Sequence, residues 1–259
     1  MTQKTILITG TSTGIGHAAA ELFAERGWKV LAGSRHPEKV SFARLGIEKV
    51  RIDVNDGESI DRFFADLSEP LDCVVNNAGY GVLLPFEDTP EEEIRKLFET
   101  NVFGLMRVCR HAVTMMRERR GGTIVNVSSI LGTIGTPWYG PYCATKWAVE
   151  GFSESLAHEV APFNVRIKII EPGGTRSAFH HRAYDRDFPI HEEYKARYLP
   201  KKASADKSGY DSAESVAELI WQAANDASLR LRYGPPHTRK TLFWQRVLGR
   251  DGLWKRLHK

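Results

Sequence analysis

The stretch Gly10-Thr11-Ser12-Thr13-Gly14-Ile15-Gly16 restricts the possible folds of this chain more than any other. A short apolar run, Thr5-Ile6-Leu7-Ile8-Thr9, precedes it and reads as a buried strand; an alanine-rich helical pattern follows and ends near Gly27. Glycines between a strand and a helix let the backbone approach a pyrophosphate. The helix N-terminus adds unpaired N–H groups and a partial positive charge. Gly10, Ser12, Thr13, Gly14, Ile15 and Gly16 are therefore candidate phosphate-binding positions.

The same alternation continues along the chain. Strand patterns fall at 28–35, 50–54, 71–75, 121–129, 164–170 and about 229–233, separated by helical patterns. Asp56 is placed to cap the helix that runs to about Leu67. No linker interrupts the series, so the 259 residues are expected to form one α/β domain, 1–259. Three irregularly spaced cysteines make neither a disulfide framework nor a metal signature, which points to a reducing cytoplasm. No apolar run is long enough to span a bilayer, and the first four residues lead straight into a strand, leaving no room for a signal peptide. The net charge of +4 is uneven: residues 228–259 hold nine Lys/Arg and one acid, and the remainder is acidic overall. Basicity this local gives no reason to expect a nucleic-acid partner.

The end of the second strand speaks to the nucleotide. An acid there would hold the ribose hydroxyls of NAD and repel a 2′-phosphate, but this chain has Ser34 followed by Arg35. A hydroxyl and a guanidinium can bond that phosphate and balance its charge, so NADP(H) is the expected cofactor.

Chemistry is suggested further on, by Pro141-Tyr142-Cys143-Ala144-Thr145-Lys146. On a helix Tyr142 and Lys146 share a face, one turn apart. An unperturbed phenol ionises near ~10, so proton transfer at neutral pH needs a shift of roughly 3 units, or roughly 4 kcal/mol. A cation ~4 Å away at an effective dielectric of ~20 contributes about that much. Asn101, in mid-helix, has poor helical propensity and is expected either to bond locally or to distort its helix.

Taken together, the TGxxxGxG turn, Asn76-Asn77-Ala78-Gly79, Ser129 thirteen residues before Tyr142, and the Tyr142/Lys146 pair resemble the short-chain dehydrogenase/reductase family, from about residue 5 to about 177. That resemblance implies a Rossmann-type doubly wound sheet of about seven parallel strands with helices on both faces. It also implies hydride transfer between NADP(H) and a carbonyl or alcohol. Asn101, Ser129, Tyr142 and Lys146 then take the catalytic roles, Ser129 rather than Ser128, with Asn101 holding a water behind Lys146. Asp53 and Val54 contact the adenine; Asn77, Ala78 and Gly79 lie beside the cofactor, with Tyr142 and Lys146 at its ribose. Pro172 and Gly173 form a turn before the residue that bonds the nicotinamide carboxamide, for which Thr175 and Ser177 both remain open. Tyr139 has no lysine four residues on and is expected to line the pocket with Pro137 and Trp138.

Residues 178–210 read as an irregular, aromatic substrate lid, and His180, His181 and His191 lack the spacing and acidic partner of a metal site. The tail at 237–259 is basic and roughly helical, broken at Gly249 and Gly252. It could cover its own domain, a partner subunit or an anionic membrane. Family likeness adds a homodimer or homotetramer and a small, lipophilic substrate. Two alternatives are a non-catalytic NADP(H)-sensing module and a membrane-surface lipid, retinoid or steroid dehydrogenase.

Overall fold

Strands without a polar face must be covered on both sides, and β1 (Thr5–Thr9) is buried at all five positions. A computed structural model describes residues 3–176, 188–204 and 211–257. In chain order β1 is followed by α1 (Gly14–Glu25), β2 (Lys29–Ser34), β3 (Ile47–Arg51), α2 (Gly57–Ala65) and β4 (Cys73–Asn76). Next come α3 (Glu91–Phe98), a π-helical turn (Glu99–Gly104), α4 (Leu105–Arg119), β5 (Gly122–Val127), α5 (Gly140–Val160) and β6 (Val165–Ile170). A short β7 (Thr175–Arg176), α6 (Glu192–Ser204), β8 (Asp211–Ser212), α7 (Ala213–Asn225), β9 (Arg232–Tyr233) and α8 (Pro236–Leu257) complete the described residues.

Seven strands form one parallel sheet in the order β3-β2-β1-β4-β5-β6-β9, as expected. One face is closed by Ala19, Ala20 and Phe23 of α1 with Val216, Ile220 and Ala223 of α7. The other is closed by Ile60 of α2, Val108 and Met116 of α4, and Val149 and Leu156 of α5. Strand order reverses between β1 and β4, so the connections leaving their carboxyl ends diverge and open a crevice. Gly10 and Asn77 sit at that crevice.

The structure corrects three expectations. The third strand is Ile47–Arg51, not 50–54, because β2 pairs with it from Val30↔Ile47 to Ser34↔Arg51. Asp53 lies beyond the ladder, its carboxylate accepting from the Asn55 N–H at 3.0 Å, and Asp56 then caps α2 through the Glu58 N–H. Residues 178–210 are not irregular throughout: α6 occupies 192–204, begun by two glutamates and anchored by the buried Tyr198. The tail forms α8, which breaks at Gly249 (φ 69°) but runs on through Gly252. No helix of the described residues is long and apolar enough to cross a membrane, and they hold no group of three metal-ligating side chains.

Candidate active site

The glycines are required by contact as well as by conformation. Gly10 has φ +72°, and a Cβ there would lie 2.7 Å from the Ala78 Cα. A Cβ on Gly16 would lie 2.5 Å from the Gly10 carbonyl oxygen and would also strike Asn77 Nδ2. Gly14 also has positive φ, at 62°. Asn77 fastens the arrangement by donating through Nδ2 to the Thr9 and Gly10 carbonyls at 3.0 and 3.1 Å. The Thr9 hydroxyl accepts from the Asn77 and Ala78 N–H groups, both at 3.1 Å. Thr13, extended, precedes α1 without lending it a side-chain cap, and Ser12 and Thr13 are exposed. The first-turn N–H groups of α1 therefore face an open cradle, with Ile15 half-buried behind it.

Thr11 ties the cradle to β2, its N–H and its hydroxyl both donating to the Gly33 carbonyl at 3.1 Å. Beside that bond Ser34 is buried, yet its Oγ has no hydrogen-bond partner among the described residues. Arg35 is exposed next to it. A buried orphan hydroxyl beside a guanidinium, at the strand end, fits a phosphate ester better than it fits core packing. Val54 is buried and its carbonyl and Cβ press against Gly104, while Asp53 stays half-buried.

The carboxyl ends of β5 and β6 carry the remaining groups. The Ser129 hydroxyl caps the turn after β5 by accepting from the Leu131 N–H at 3.2 Å and also hydrogen-bonds the Tyr142 phenol. Ser128 faces the other way, toward Glu150. Tyr142 is on the first turn of α5 and 6% exposed, its ring 6.1 Å from that of Tyr139. Burial pushes the Tyr142 phenol well above its ordinary value, and the Ser129 hydrogen bond pulls against it. The Lys146 ammonium is one turn on but donates to the Val127 carbonyl at 2.8 Å and lies 5.7 Å from the Tyr142 ring centre. That differs from the ~4 Å ion pairing expected on helical spacing alone. Burial brings Lys146 itself down to about 8, with Glu150 opposing.

Asn101 is buried inside the π-helical turn, a distortion of the kind its poor propensity foreshadows. Its Oδ1 accepts from the Tyr80 N–H at 3.0 Å; its Nδ2 donates to the Tyr80 carbonyl at 2.9 Å and to Thr145 Oγ1 at 3.1 Å. Thr145 in turn donates to the Tyr142 carbonyl at 2.7 Å, tying Asn101 to the first turn of α5. Gly79 is held against Asn101, which a Cβ would approach to 3.0 Å. The Pro172 carbonyl accepts from the Ile130 N–H at 2.9 Å, Gly173 is covered by the His237 ring, and Thr175 donates to the Gly173 carbonyl at 3.3 Å. Ser177, and the lid at 178–187 and 205–210 with His180 and His181, lie outside the described residues.

An aromatic wall adjoins Tyr142. Val82, Leu83, Leu84, Tyr139 and Tyr198 are buried there, with Trp138 half-buried and Pro137 exposed. The Trp138 ring packs edge-on against Tyr194 and Tyr198 of α6, and the Tyr198 hydroxyl donates to the Leu83 carbonyl at 3.0 Å. His191 clasps the start of α6 to the loop at Asp88: its backbone N–H donates to one carboxylate oxygen at 3.2 Å and its ring Nδ1 bonds the other. The Asp88 hydrogen bond, then its charge, raise His191 above its ordinary value. The folded value is the higher one, so the clasp stabilises fully below the unfolded value, ~6.5, and is lost as pH climbs through the raised value. Amides of α6 should exchange more slowly in the native chain than in His191→Gln at about pH 6, and alike near pH 9. Equal exchange at both would sink the clasp.

Some site residues escaped the sequence. Thr145 lies inside the Tyr142-to-Lys146 interval, and only its position between two expected catalytic residues marks it out. Thr9, Glu150, Glu171 and Arg232 carry no local signal, because each meets partners far away in the sequence.

Comparisons with known proteins identify the family and the fold. A family model described as short chain dehydrogenase matches residues 4–187. An uncharacterised oxidoreductase of Bacillus subtilis, YusZ, is 37% identical over 254 residues, covering 90% of this chain and 89% of its own. A crystal structure of a short-chain dehydrogenase from Streptomyces avermitilis superposes with a TM-score of 0.84 at 32% identity, covering 99% of this chain and 98% of that one. The closed form of serine dehydrogenase complexed with NADP+ superposes with a TM-score of 0.75 at 25% identity, covering 88% and 94%. A family-model match over most of the length, with a relative at this identity and coverage, leaves one assignment: the chain belongs to the short-chain dehydrogenase family of oxidoreductases.

Proposed function

We propose that this oxidoreductase reduces a carbonyl, or oxidises the matching alcohol, using NADP(H), with Tyr142 as general acid and base. One observation carries this assignment: a buried phenol hydrogen-bonded to Ser129 stands at the same edge of the sheet as the glycine cradle. Gly10, Ser12, Thr13, Gly14, Ile15 and Gly16 would hold the pyrophosphate, Ser34 and Arg35 the 2′-phosphate, and Asp53 and Val54 the adenine. Asn77, Ala78 and Gly79 would flank the cofactor ribose with Tyr142 and Lys146. Pro172 and Gly173, with Thr175 or Ser177, would hold the carboxamide. The solved NADP+ complex of a relative is consistent with that choice.

Once bound, the cofactor supplies the hydride for the carbonyl carbon. The chain supplies the rest. Ser129 Oγ orients the carbonyl oxygen, and Tyr142 Oη gives it a proton as negative charge develops there. Burial keeps that proton on Tyr142 at neutral pH, which suits an acid. Oxidation needs it removed, and Lys146 is the cation one turn away that favours the phenolate. Both Asn101 Nδ2 hydrogens are committed to Tyr80 and Thr145, so the water expected behind Lys146 would have to donate to an Asn101 oxygen rather than accept from its amide nitrogen. The chain acts as one unit over 1–259, in the cytoplasm, as a homodimer or homotetramer. The lining of Val82, Leu84, Trp138 and Tyr139 suits a lipophilic substrate.

The test is NADPH oxidation across aldehydes, ketones, steroids and quinones, with NADH in parallel; no turnover on any class, by a folded protein that binds NADPH, would favour a sensing module. Arg35→Ala isolates the phosphate contact. It should weaken NADPH about 10-fold, the low end for an exposed charged hydrogen bond, and leave NADH unchanged. Equal weakening of both would remove Arg35 from the 2′-phosphate.

A further inference from the structure

Behind the catalytic face lies a second cluster of ionisable groups that the proposed reaction does not use. Glu150 follows Lys146 by one turn of α5, and Glu171 directly follows β6, just before Pro172. Both are buried: their side chains are 8% and 3% exposed. Arg232 of β9 reaches between them, its Nε 3.2 Å from Glu150 Oε2 and 3.7 Å from Glu171 Oε1. Its other arm is taken by the exposed Glu154, at 2.8 Å. One guanidinium thus serves three carboxylates. Glu150 Oε1 and Glu171 Oε1 are buried without a hydrogen-bond partner among the described residues.

The surroundings add little positive charge. The Ser128 hydroxyl faces Glu150 across Gly132, where a Cβ would lie 2.7 Å from Ser128 Oγ and 2.9 Å from Glu150 Cγ. From α8, Thr238 approaches across Gly234, and His237 is paired with Asp211 at 3.5 Å. On α5 the charges are Lys146 and Glu154. Two buried carboxylates around one shared cation cannot both stay ionised without a large cost, and a proton held on one of them removes that second charge.

We propose that Glu150 and Glu171 hold one shared proton, and that the charge left on this pair keeps Lys146 protonated to higher pH than its burial alone would allow. Glu150 and Glu171 are positioning residues: they touch neither substrate nor cofactor. The proton resides chiefly on Glu171, whose carboxyl burial and the Glu150 charge push up to about 7 against the pull of Arg232. Burial also raises Glu150, against Ser128, Arg232 and Lys146. The link to catalysis rests on Lys146 acting in the reaction proposed above; the pair and its effect on the Lys146 charge do not.

Two measurements on the full chain separate these. Infrared difference spectra between native protein and Glu171→Gln at about pH 6 should show a protonated carboxyl band that vanishes near pH 9. No such band would overturn the shared proton. The titration of Lys146, followed through its side-chain nitrogen resonance and assigned with Lys146→Arg, should move down by about one pH unit in Glu150→Gln. An unmoved midpoint would overturn the coupling. Should Glu150→Gln fail to fold, Glu171→Gln serves. Near pH 8 the native Glu171 is largely ionised, so removing its charge should lower the Lys146 midpoint, by less than in Glu150→Gln, and an unmoved or raised midpoint would count against the coupling. If both measurements succeed while Lys146→Arg retains full turnover, the pair stands and the catalytic role of Lys146 falls.

Discussion

Tyr142→Phe is expected to bind NADPH as the native protein does and to lose carbonyl reduction by roughly 10²–10⁴-fold or more. The substitution removes one oxygen from a ring that is 6% exposed and leaves the ring itself in place against Tyr139. Ser129 keeps a partner, because its oxygen still accepts from the Leu131 N–H. Lys146 keeps its bond to the Val127 carbonyl. The fold should therefore be unharmed, and a phenyl ring is easier to bury than a phenol whose burial already costs its charged form. What disappears is the proposed proton donor. Stopped-flow binding of NADPH beside steady-state oxidation checks both halves, and substantial turnover by this variant would refute Tyr142 as the acid.

Lys146 shows how much of this site was legible in the sequence and where legibility ended. The i, i+4 spacing puts it on the face of Tyr142, and the structure keeps it there. Spacing alone could not reveal that the ammonium would be held by the Val127 carbonyl, a residue of β5 nineteen positions earlier. Asn101 was legible for a different reason: a poor helix former inside a helix must be compensated locally, and the π turn with its Tyr80 and Thr145 bonds is that compensation. The shift of β3 to Ile47–Arg51 was not legible, since a strand boundary is set by its partner, here β2. Nor was α6, whose sequence is polar and carries Pro200; its anchors Tyr194 and Tyr198 are satisfied by Trp138 and Leu83, far away in the chain. Local chemistry was readable, and whatever depended on a distant strand or loop was not.

Gly16→Ala should be strongly damaging for a single added methyl. Most glycine-to-alanine changes inside helices stabilise by ~0.5–1 kcal/mol, because alanine loses less backbone freedom on folding. Gly151, in α5 with open space around it, is the internal control and should follow that rule. At Gly16 the new methyl would sit 2.5 Å from the Gly10 oxygen and 3.0 Å from the Gly10 carbonyl carbon, both main-chain atoms. Gly10 cannot retreat, being at positive φ and already against the Ala78 backbone, which Asn77 and Thr9 hold in place. The start of α1 must move instead, at a cost of about 1–3 kcal/mol, or a melting temperature roughly 2–10 °C lower for a chain of this size. Moving it carries the first-turn N–H groups off the position the phosphate needs, so NADPH binding should weaken at least about 10-fold even where the variant is fully folded. Calorimetric melting and NADPH titration of Gly16→Ala beside Gly151→Ala check this. Native-like melting and binding in the former would mean that the cradle is looser than its contacts imply, and the assignment of the pyrophosphate to it would fall.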